Sequence, residues 1–290
     1  MSSFVIVGTD GSTRASLAVE TAAGEAARRG IGLRLVYGYA PLYGFTGLDP
    51  TPDADVLEAC ELLLEDAARA ASRKYPDLVV EKKVVVNDPA FALVSESSEP
   101  DVELVVVGAR GISAMRRLLM GSVSTKVATY AEKPVIVVRG APGKADGPVT
   151  VGIAPENGSP NALDFAFQEA KQRSVPVRVI QAQQHAGSNY GSLVDETRRE
   201  LVMAQVKASE ERTKARFEEV KAQYPGVPAT LEISSAHAID VLVDAAADAS
   251  LIVVGSSGKN TLKVALLGSV SMGVLHAAPM VAVVRENVED

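Results

Sequence analysis

The sequence is poor in the residues that build disulfide frameworks and metal centres. Cys60 is the only cysteine among 290 residues, so the chain can form neither an internal disulfide nor a thiolate metal cage. It lies in a segment of helical pattern, where a buried core thiol is expected. The three histidines, His185, His237 and His276, are scattered and show no pairing typical of zinc ligation. The composition therefore gives no support to a disulfide scaffold or a metal hydrolase.

Long apolar runs and excess positive charge are also lacking. No run reaches the roughly 18–20 apolar residues that a membrane span needs, and the start at residues 1–7 has no basic flank or cleavage site. The formal net charge of −7, with an isoelectric point near 5.2, would repel nucleic-acid phosphates and anionic lipid headgroups. These features predict a cytoplasmic protein with no membrane span and no nucleic-acid partner.

What the sequence does contain is an internal repeat. The run Leu104–Gly108 recurs as Leu251–Gly255, and Leu119–Ser124 recurs as Leu266–Ser271, in both cases 147 residues further on. Three other apolar runs also correspond between the halves: 4–8 with 149–153, 33–36 with 177–180, and 134–139 with 279–285. The repeat predicts a first domain at 1–140, a linker rich in glycine and proline at 141–148, and a second domain at 149–290.

Each half alternates strand-like and helix-like patterns. Short runs of valine, isoleucine and leucine are separated by longer segments of helical period, such as 15–29 and 202–223. Nearly continuous apolar strands are typical of a parallel sheet covered by helices on both faces. We therefore predict an α/β fold with two tandem Rossmann-like doubly wound domains, each with a five-stranded, mainly parallel sheet. Such sheets bind ligands at the carboxyl ends of the strands, where the strand order reverses.

A glycine pattern follows a buried strand in both halves. It consists of Gly, two residues, Gly, nine residues and Gly-Ser, at Gly108, Gly111, Gly121 and Ser122, and again at Gly255, Gly258, Gly268 and Ser269. A glycine at a strand end lets the backbone approach a ligand because it has no Cβ atom. A Gly-Ser pair that opens a helix directs unpaired amide groups at an anion. The pattern predicts phosphate binding, although ordinary loop geometry inherited by both halves would produce it too.

Charged residues lie at the same predicted edge. The first strand runs into Thr9 and Asp10, and a carboxylate there can accept hydrogen bonds from a ribose or adenine group. Arg110, in the glycine loop, either offsets phosphate charge or is a solvated surface group. A P-loop ATPase is disfavoured because the Walker A spacing is absent, and the dinucleotide fingerprint is missing as well.

Together these motifs resemble the universal stress protein family. The resemblance rests on the segment 7–12, the glycine pattern and the segment 134–139. It extends over nearly the whole chain, once in each half. It is closest to the tandem, actinobacterial form and to the ATP-binding branch, so it implies ATP as ligand, with Mg²⁺ on the phosphates in many members. The implied contacts are Thr9, Asp10 and Gly38 near the adenosine, Gly108, Gly111 and Gly121 on ribose and phosphates, and Ser122, Val123 and Ser124 on the phosphates. The resemblance also implies that the final strands, 135–138 and 281–284, pair within the chain or in a homodimer.

The second half departs from this pattern. Its first strand is followed by a longer loop in which Asp10 has no clear counterpart, with Glu156 as the one candidate. Gly268 to Pro279 spans 11 positions where Gly121 to Pro134 spans 13, which predicts a shorter helix. A second ATP site is nevertheless predicted, at Gly255, Gly258, Gly268, Ser269, Val270 and Ser271.

No histidine or general base accompanies the glycine pattern, so the sequence favours binding over catalysis. We predict a nucleotide-binding stress or signalling protein in which ATP occupancy changes the affinity for a regulatory partner protein. The alternatives are a slow ATPase or adenylate-forming enzyme, and a cyclic-AMP binder or ligand-free scaffold. An adenylate-forming enzyme generally needs an added substrate-binding insertion, and the candidates for it, the loops 40–56 and 182–195, are short and more typical of a lid or surface loop. Either one or two nucleotides per chain are compatible with the sequence.

Overall fold

The chain folds into two compact units. The computed structural model describes residues 3–40, 54–109, 121–155, 159–182, 196–256 and 267–286. The first unit comprises Met1–Ala141 with Pro279–Val283, and the second comprises Pro142–Ala278 with Val284–Asp290. Over the described ranges, no helix is both long enough and apolar enough to cross a membrane.

The first unit is a doubly wound sheet. Its elements are β1 (Phe4–Gly8), α1 (Thr13–Arg29), β2 (Gly32–Tyr39), α2 (Ala54–Lys74), β3 (Val80–Val86), α3 (Pro89–Glu96), β4 (Val102–Gly108), α4 (Ser122–Tyr130) and β5 (Val135–Val138). The strands lie in the order β3-β2-β1-β4-β5 and are all parallel. The order reverses between β1 and β4, because β2 and β3 are added on one side of β1 and β4 and β5 on the other. Residues Met280–Val283 of the last strand, β10 (Met280–Val284), pair antiparallel with β5.

The second unit repeats the same elements. They are β6 (Val149–Ile153), α5 (Pro160–Arg173), β7 (Val177–Ala182), α6 (Glu196–Gln223), β8 (Ala229–Ser234), α7 (Ala238–Ala245), β9 (Leu251–Gly255) and α8 (Ser269–Ala277). The order β9-β6-β7-β8 is parallel and reverses at β6. The predicted pair of Rossmann-like domains with mainly parallel sheets is confirmed.

The apolar runs become central strands because both of their faces are covered. Val5 and Ile6 of β1 and Val151 of β6 have no exposed surface. Glycines lie where a helix side chain packs closely against a strand. A Cβ atom on Gly8 would lie 2.5 Å from Cδ1 of Leu93, and one on Gly152 would lie 2.6 Å from Cδ1 of Leu242. The two glycines therefore occupy equivalent places in the two units.

Strand register corrects our alignment of the repeats by one residue. Gly8 pairs with Val36 and Val107, whereas Gly152 pairs with Ile180 and Val254. The segment 4–8 therefore corresponds to 148–152 rather than to 149–153. The sequence alignment slipped because both segments are valine-rich runs in which a shift of one residue changes little.

The predicted shortening of the helix after the second glycine pattern is wrong. Helices α4 and α8 both contain nine residues. The two missing positions fall in the connection to the last strand, where Ala131, Glu132 and Lys133 precede Pro134 but only Ala278 precedes Pro279. The spacing between the glycine and the proline could not show whether the helix or the connection after it had lost residues.

Candidate functional site

The loop after β1 holds a carboxylate at the carboxyl edge of the sheet. The Thr9 backbone N–H donates to the Val36 carbonyl oxygen at 3.1 Å, which ties the loop to β2. Oδ1 of Asp10 accepts a hydrogen bond from the Ser12 backbone N–H at 3.0 Å. Gly11, with φ of 72°, supplies the left-handed turn between them. Asp10 is thereby placed where the strand order of the first unit reverses.

The start of α4 is fastened to the end of β4. The Gly121 N–H donates to the Ala109 carbonyl oxygen at 2.8 Å, and the Ser124 hydroxyl donates to the same oxygen at 3.1 Å. The helix begins at Ser122, as predicted, and its first intrahelical bond runs from the Thr125 N–H to the Gly121 carbonyl. The N-cap residue is Gly121, so within the described residues the N-cap position supplies no side-chain hydrogen bond to the helix. The Ser124 hydroxyl is buried in a backbone contact, so only its amide remains for an anion.

The Asp10 carboxylate and the start of α4 follow neighbouring strands. Gly8 of β1 pairs with Val107 of β4, so the segments that begin at Thr9 and at Gly108 leave the sheet side by side. Adjacent strands lie about 4.8 Å apart. The carboxylate of the first loop and the amide groups of α4 thus belong to one edge of one sheet.

Gly38 has a packing role at this edge. A Cβ atom on Gly38 would lie 2.4 Å from Cα of Pro89, the first residue of α3. Because the clash is with backbone, only glycine lets α3 approach β2 so closely. We expected Gly38 to follow the second strand, but it lies within β2, where it pairs with Val85. Its close contact with Pro89 gives it a structural role of its own.

Tyr37 is a residue of this region that the sequence reasoning missed. It is half-buried beside Gly38 on β2. Burial raises the pKa of the Tyr37 phenol, and Cys60 and Asp10 in their deprotonated forms raise it further. The tyrosine was overlooked because it continues an apolar run. Its place near the carboxyl end of a strand beside the reversal point was the available signal.

A groove of about 500 Å³ opens beside Asp10, between α1 and α2. Thr9, Asp10 and Gly11 line one end of it, and Leu63 and Ala67 of α2 line its wall. Of the residues that the structure describes, Gly108 and 121–124 do not line this groove. The structure therefore brings Thr9 and Asp10 together in one cluster and gathers Gly108 and 121–124 in a second. Arg110, Gly111, Gly258, Glu156 and the greater part of the loops 40–56 and 182–195 lie outside the described residues.

The second unit reproduces the helix start of the first. The Met272 N–H donates to the Gly268 carbonyl oxygen at 2.9 Å, and the Ser271 hydroxyl donates to the Gly255 carbonyl oxygen at 2.6 Å. The N-cap residue of α8 is Gly268, and in the described part of this unit it likewise supplies no side-chain capping bond. Of the predicted second site, the positions Gly255, Gly268, Ser269, Val270 and Ser271 thus form an α4-like helix start.

The carboxylate of the first unit is not reproduced at its own position. With the register correction, Ala154 is the counterpart of Asp10. A different carboxylate enters from the end of the chain. Oε2 of Glu286 accepts from the Asn161 N–H and Oε1 accepts from the Ala162 N–H, both at 3.0 Å, in the first turn of α5. Burial raises the pKa of the Glu286 carboxyl, while the two amide bonds and the charge of Arg216 oppose that rise.

The residues that the structure describes build no metal cage. Across the described ranges, no three or more histidine, cysteine, aspartate or glutamate side chains are grouped so that they could hold a metal ion. The thiol of Cys60 is buried, and burial raises its pKa, so that it stays protonated at neutral pH.

Both halves of the chain match one family. A profile described as the universal stress protein family matches residues 1–139 and 147–285. The chain is 33% identical over 299 residues to a universal stress protein of Mycobacterium tuberculosis, with 97% of this chain and 96% of that protein covered. It is 31% identical over 293 residues to one of Mycolicibacterium smegmatis, with 94% of each covered. A crystal structure of a universal stress protein from Archaeoglobus fulgidus has a TM-score of 0.66 at 21% identity, covers 99% of this chain and 100% of that chain, and shows the same fold.

Proposed function

The chain belongs to the universal stress protein family, and from that premise we propose that its first unit binds an adenine nucleotide, with ATP as the principal ligand. The observation that carries the proposal is that two groups follow adjacent strands of one sheet: the Asp10 carboxylate, after β1, and the start of α4, after β4. The resemblance predicted from the motifs is confirmed, and the mycobacterial relatives are of the same tandem length.

The phosphate end of the ligand would lie at the start of α4. The N–H groups of Ser122, Val123 and Ser124 precede the first intrahelical bond, and the helix dipole adds positive potential there. The bond from Gly121 to Ala109 holds this start at the sheet edge. A phosphate needs several convergent donors, which a helix start supplies without a charged side chain.

The adenosine end would lie at β1 and β2. The Asp10 carboxylate can accept from ribose hydroxyls or from the adenine amino group. The ring of Tyr37, half-buried and within the electrostatic influence of Asp10, offers an apolar surface for a base. A pocket that combines an apolar wall with a few placed polar groups is the usual form of a small-molecule site.

Magnesium, where it takes part, would be held chiefly by the phosphates. Mg²⁺ commonly keeps several waters and binds through one or two carboxylates together with substrate phosphates. Asp10 is the carboxylate of this edge, and it already accepts a hydrogen bond from the Ser12 N–H. The protein's contribution would be to position the phosphates that carry the ion.

We propose a regulatory rather than a catalytic role. The Tyr37 phenol and the Cys60 thiol both have raised pKa values, so both keep their protons at neutral pH and are poor bases and nucleophiles. The curated relatives carry the name of a stress protein rather than of an enzyme. Nucleotide occupancy would then change the affinity for a regulatory partner protein. Pairing of β5 with β10 covers the edge of β5 within one chain, which favours the intrachain form over a homodimer.

The test is calorimetric titration of the full chain with ATP and, separately, with cyclic AMP. Gly121→Glu places a charged side chain at the start of α4 and is expected to abolish binding to the first unit. The matched control is Gly226→Glu, because a side chain there meets open space. Asp10→Ala is expected to weaken binding by about 1.5–3 kcal/mol, roughly ten- to a hundredfold in Kd, through loss of hydrogen bonds to a charged group.

Absence of ATP binding, or equal binding by Gly121→Glu and Gly226→Glu, would overturn the proposal. Preference for cyclic AMP would redirect the ligand assignment. Steady multiple turnover of ATP that disappears in Asp10→Ala would replace the regulatory role with an ATPase.

A further inference from the structure

Glu286 is fastened at three points in the second unit. Its carboxylate accepts from the N–H groups of Asn161 and Ala162 at 3.0 Å. Its own N–H donates to the Ser256 hydroxyl at 3.3 Å, directly after β9. The preceding carbonyl, that of Arg285, accepts from the Asn161 side-chain amide at 2.8 Å. The side chain is therefore held between the start of α5 and the end of β9 rather than extended into solvent.

The carboxylate lies on the strand end that leads into the second glycine pattern. A Cβ atom on Gly255 would be 2.9 Å from Oε1 of Glu286, so the space above this glycine is taken by the carboxylate. The Gly255 carbonyl in turn accepts from the Ser271 hydroxyl at the start of α8. Because β9 and β6 are the strands between which the order reverses, Glu286 stands at the reversal point of the second sheet.

The first unit has no side chain at the corresponding place. Pro134–Arg139 and Pro279–Arg285 both end in Val-Val-Arg, and the next residues are Gly140 and Glu286. Helix α1 is instead capped by its own Ser12, whose hydroxyl accepts from the Ala15 N–H at 3.2 Å. Among the described residues, a carboxylate that follows the last strand and bonds to the first turn of the first helix is thus found in the second unit and not in the first.

We propose that Glu286 acts as a built-in anion that keeps nucleotide phosphate out of the second unit, so that the chain takes one nucleotide, in its first unit. This inference rests on the proposed function. Glu286 fills the space above Gly255 with a negatively charged side chain, and its bonds to the Asn161 and Ala162 N–H groups hold it there. The Gly255 carbonyl is bonded to the Ser271 hydroxyl at the start of α8, the counterpart of the helix start that would receive the phosphate in the first unit. Ala154 stands at the position of Asp10, so no carboxylate is available to a ribose at that position.

The experiment counts ATP equivalents bound by the full chain at neutral pH. Wild type is expected to bind one equivalent. Glu286→Gln keeps the size of the side chain but removes its charge, and Glu286→Gly reproduces the first unit. Both are expected to gain a second equivalent, with binding at the second unit tightened roughly tenfold or more. The charge-matched control, Glu218→Gln on the exposed face of α6, is expected to leave the count at one.

The same titrations in a Gly121→Glu background assign the gained site to the second unit. Two equivalents in wild type, or a count that stays at one in both Glu286 variants, would overturn the inference. A lower melting temperature with no added equivalent would show that Glu286 is a structural cap alone. If wild type bound nothing and Glu286→Gln bound one equivalent, the proposal that the first unit binds nucleotide would fail, and only the exclusion of nucleotide from the second unit by Glu286 would stand. No binding to any variant would overturn both.

Discussion

The two units start their first helix in different ways. Helix α1 is capped by Ser12 from its own loop, and the same loop holds Asp10 at the sheet edge. In α5, Ser159 is in a left-handed conformation with φ of 44° and makes no side-chain capping bond to the helix. The Asn161 and Ala162 amides at the start of α5 donate instead to Glu286, which lies near the other end of the second unit's sequence. Helix α1 is therefore capped by its own loop, whereas α5 is capped by a carboxylate that lies against Gly255 at the reversal point.

The two units also differ at the amino edge of the sheet, where the largest stability effect is expected. The Arg34 guanidinium bonds to Glu81 at 3.0 Å and Asp101 at 2.7 Å and stacks on Phe4, with 10% of its side chain exposed. In the described part of the second unit, Arg178 bonds to one partner, Glu232, and is 34% exposed. Arg34→Ala should cost about 3 kcal/mol because it strands a partly buried carboxylate, and Arg178→Ala about 0–1 kcal/mol.

The free energy of unfolding is measured by denaturant titration. Hydrogen exchange is measured separately in peptides from β2 and β7. Protection should fall in β2 for Arg34→Ala and change little in β7 for Arg178→Ala. Equal losses would show that the two arginines are equivalent despite their different partners.

A smaller effect is expected where Gly38 corresponds to Ala182. The register makes them equivalent, since Leu33 and Val177 pair with matching residues of β1 and β6. Gly38→Ala should destabilise the first unit by about 1–3 kcal/mol, because the Pro89 backbone would have to move. Ala182→Gly should cost only about 0.5–1 kcal/mol through chain entropy. Thermal melting of both variants tests the difference, and a larger loss for Ala182→Gly would contradict it.

The smallest expected effect is on pH dependence. The pKa of Glu286 is raised by burial, so the folded chain binds this proton more tightly than the unfolded chain. Its contribution to stability is therefore largest below the ordinary glutamate pKa and declines as pH rises through the raised value. Asp101 behaves oppositely. Arg34 lowers its pKa, so its contribution is present above the ordinary aspartate pKa and is lost as pH falls through the lowered one.

Melting curves of wild type and Glu286→Gln in mildly acidic buffers separate the two carboxyl groups. The decline in stability that wild type shows with rising pH should be absent in Glu286→Gln, because glutamine has no proton to lose. A decline that persists unchanged in the variant would assign it to another group.

Local signals were enough to predict the elements that carry the proposed first site. Gly121 and Ser122 were expected to open a helix, and α4 begins at Ser122. Asp10 was expected at the edge of the sheet, where β1 ends two residues before it. Tyr37 was missed because its partners are distant in the chain. The counterpart of Asp10 could not be read because the alignment of β1 and β6 depends on pairing with other strands.

The sequence by itself determined the duplication, the alternation of strands and helices, and the placement of a glycine pattern after the fourth strand of each half. These properties depend on periodicity and on caps within a few residues, which are local. Only the tertiary structure decided that Gly38 makes room for Pro89, that Met280–Val283 pair with β5, and that Glu286 caps α5. Each of these contacts joins residues far apart in the chain, so it exists only after the sheet has set their distance and direction.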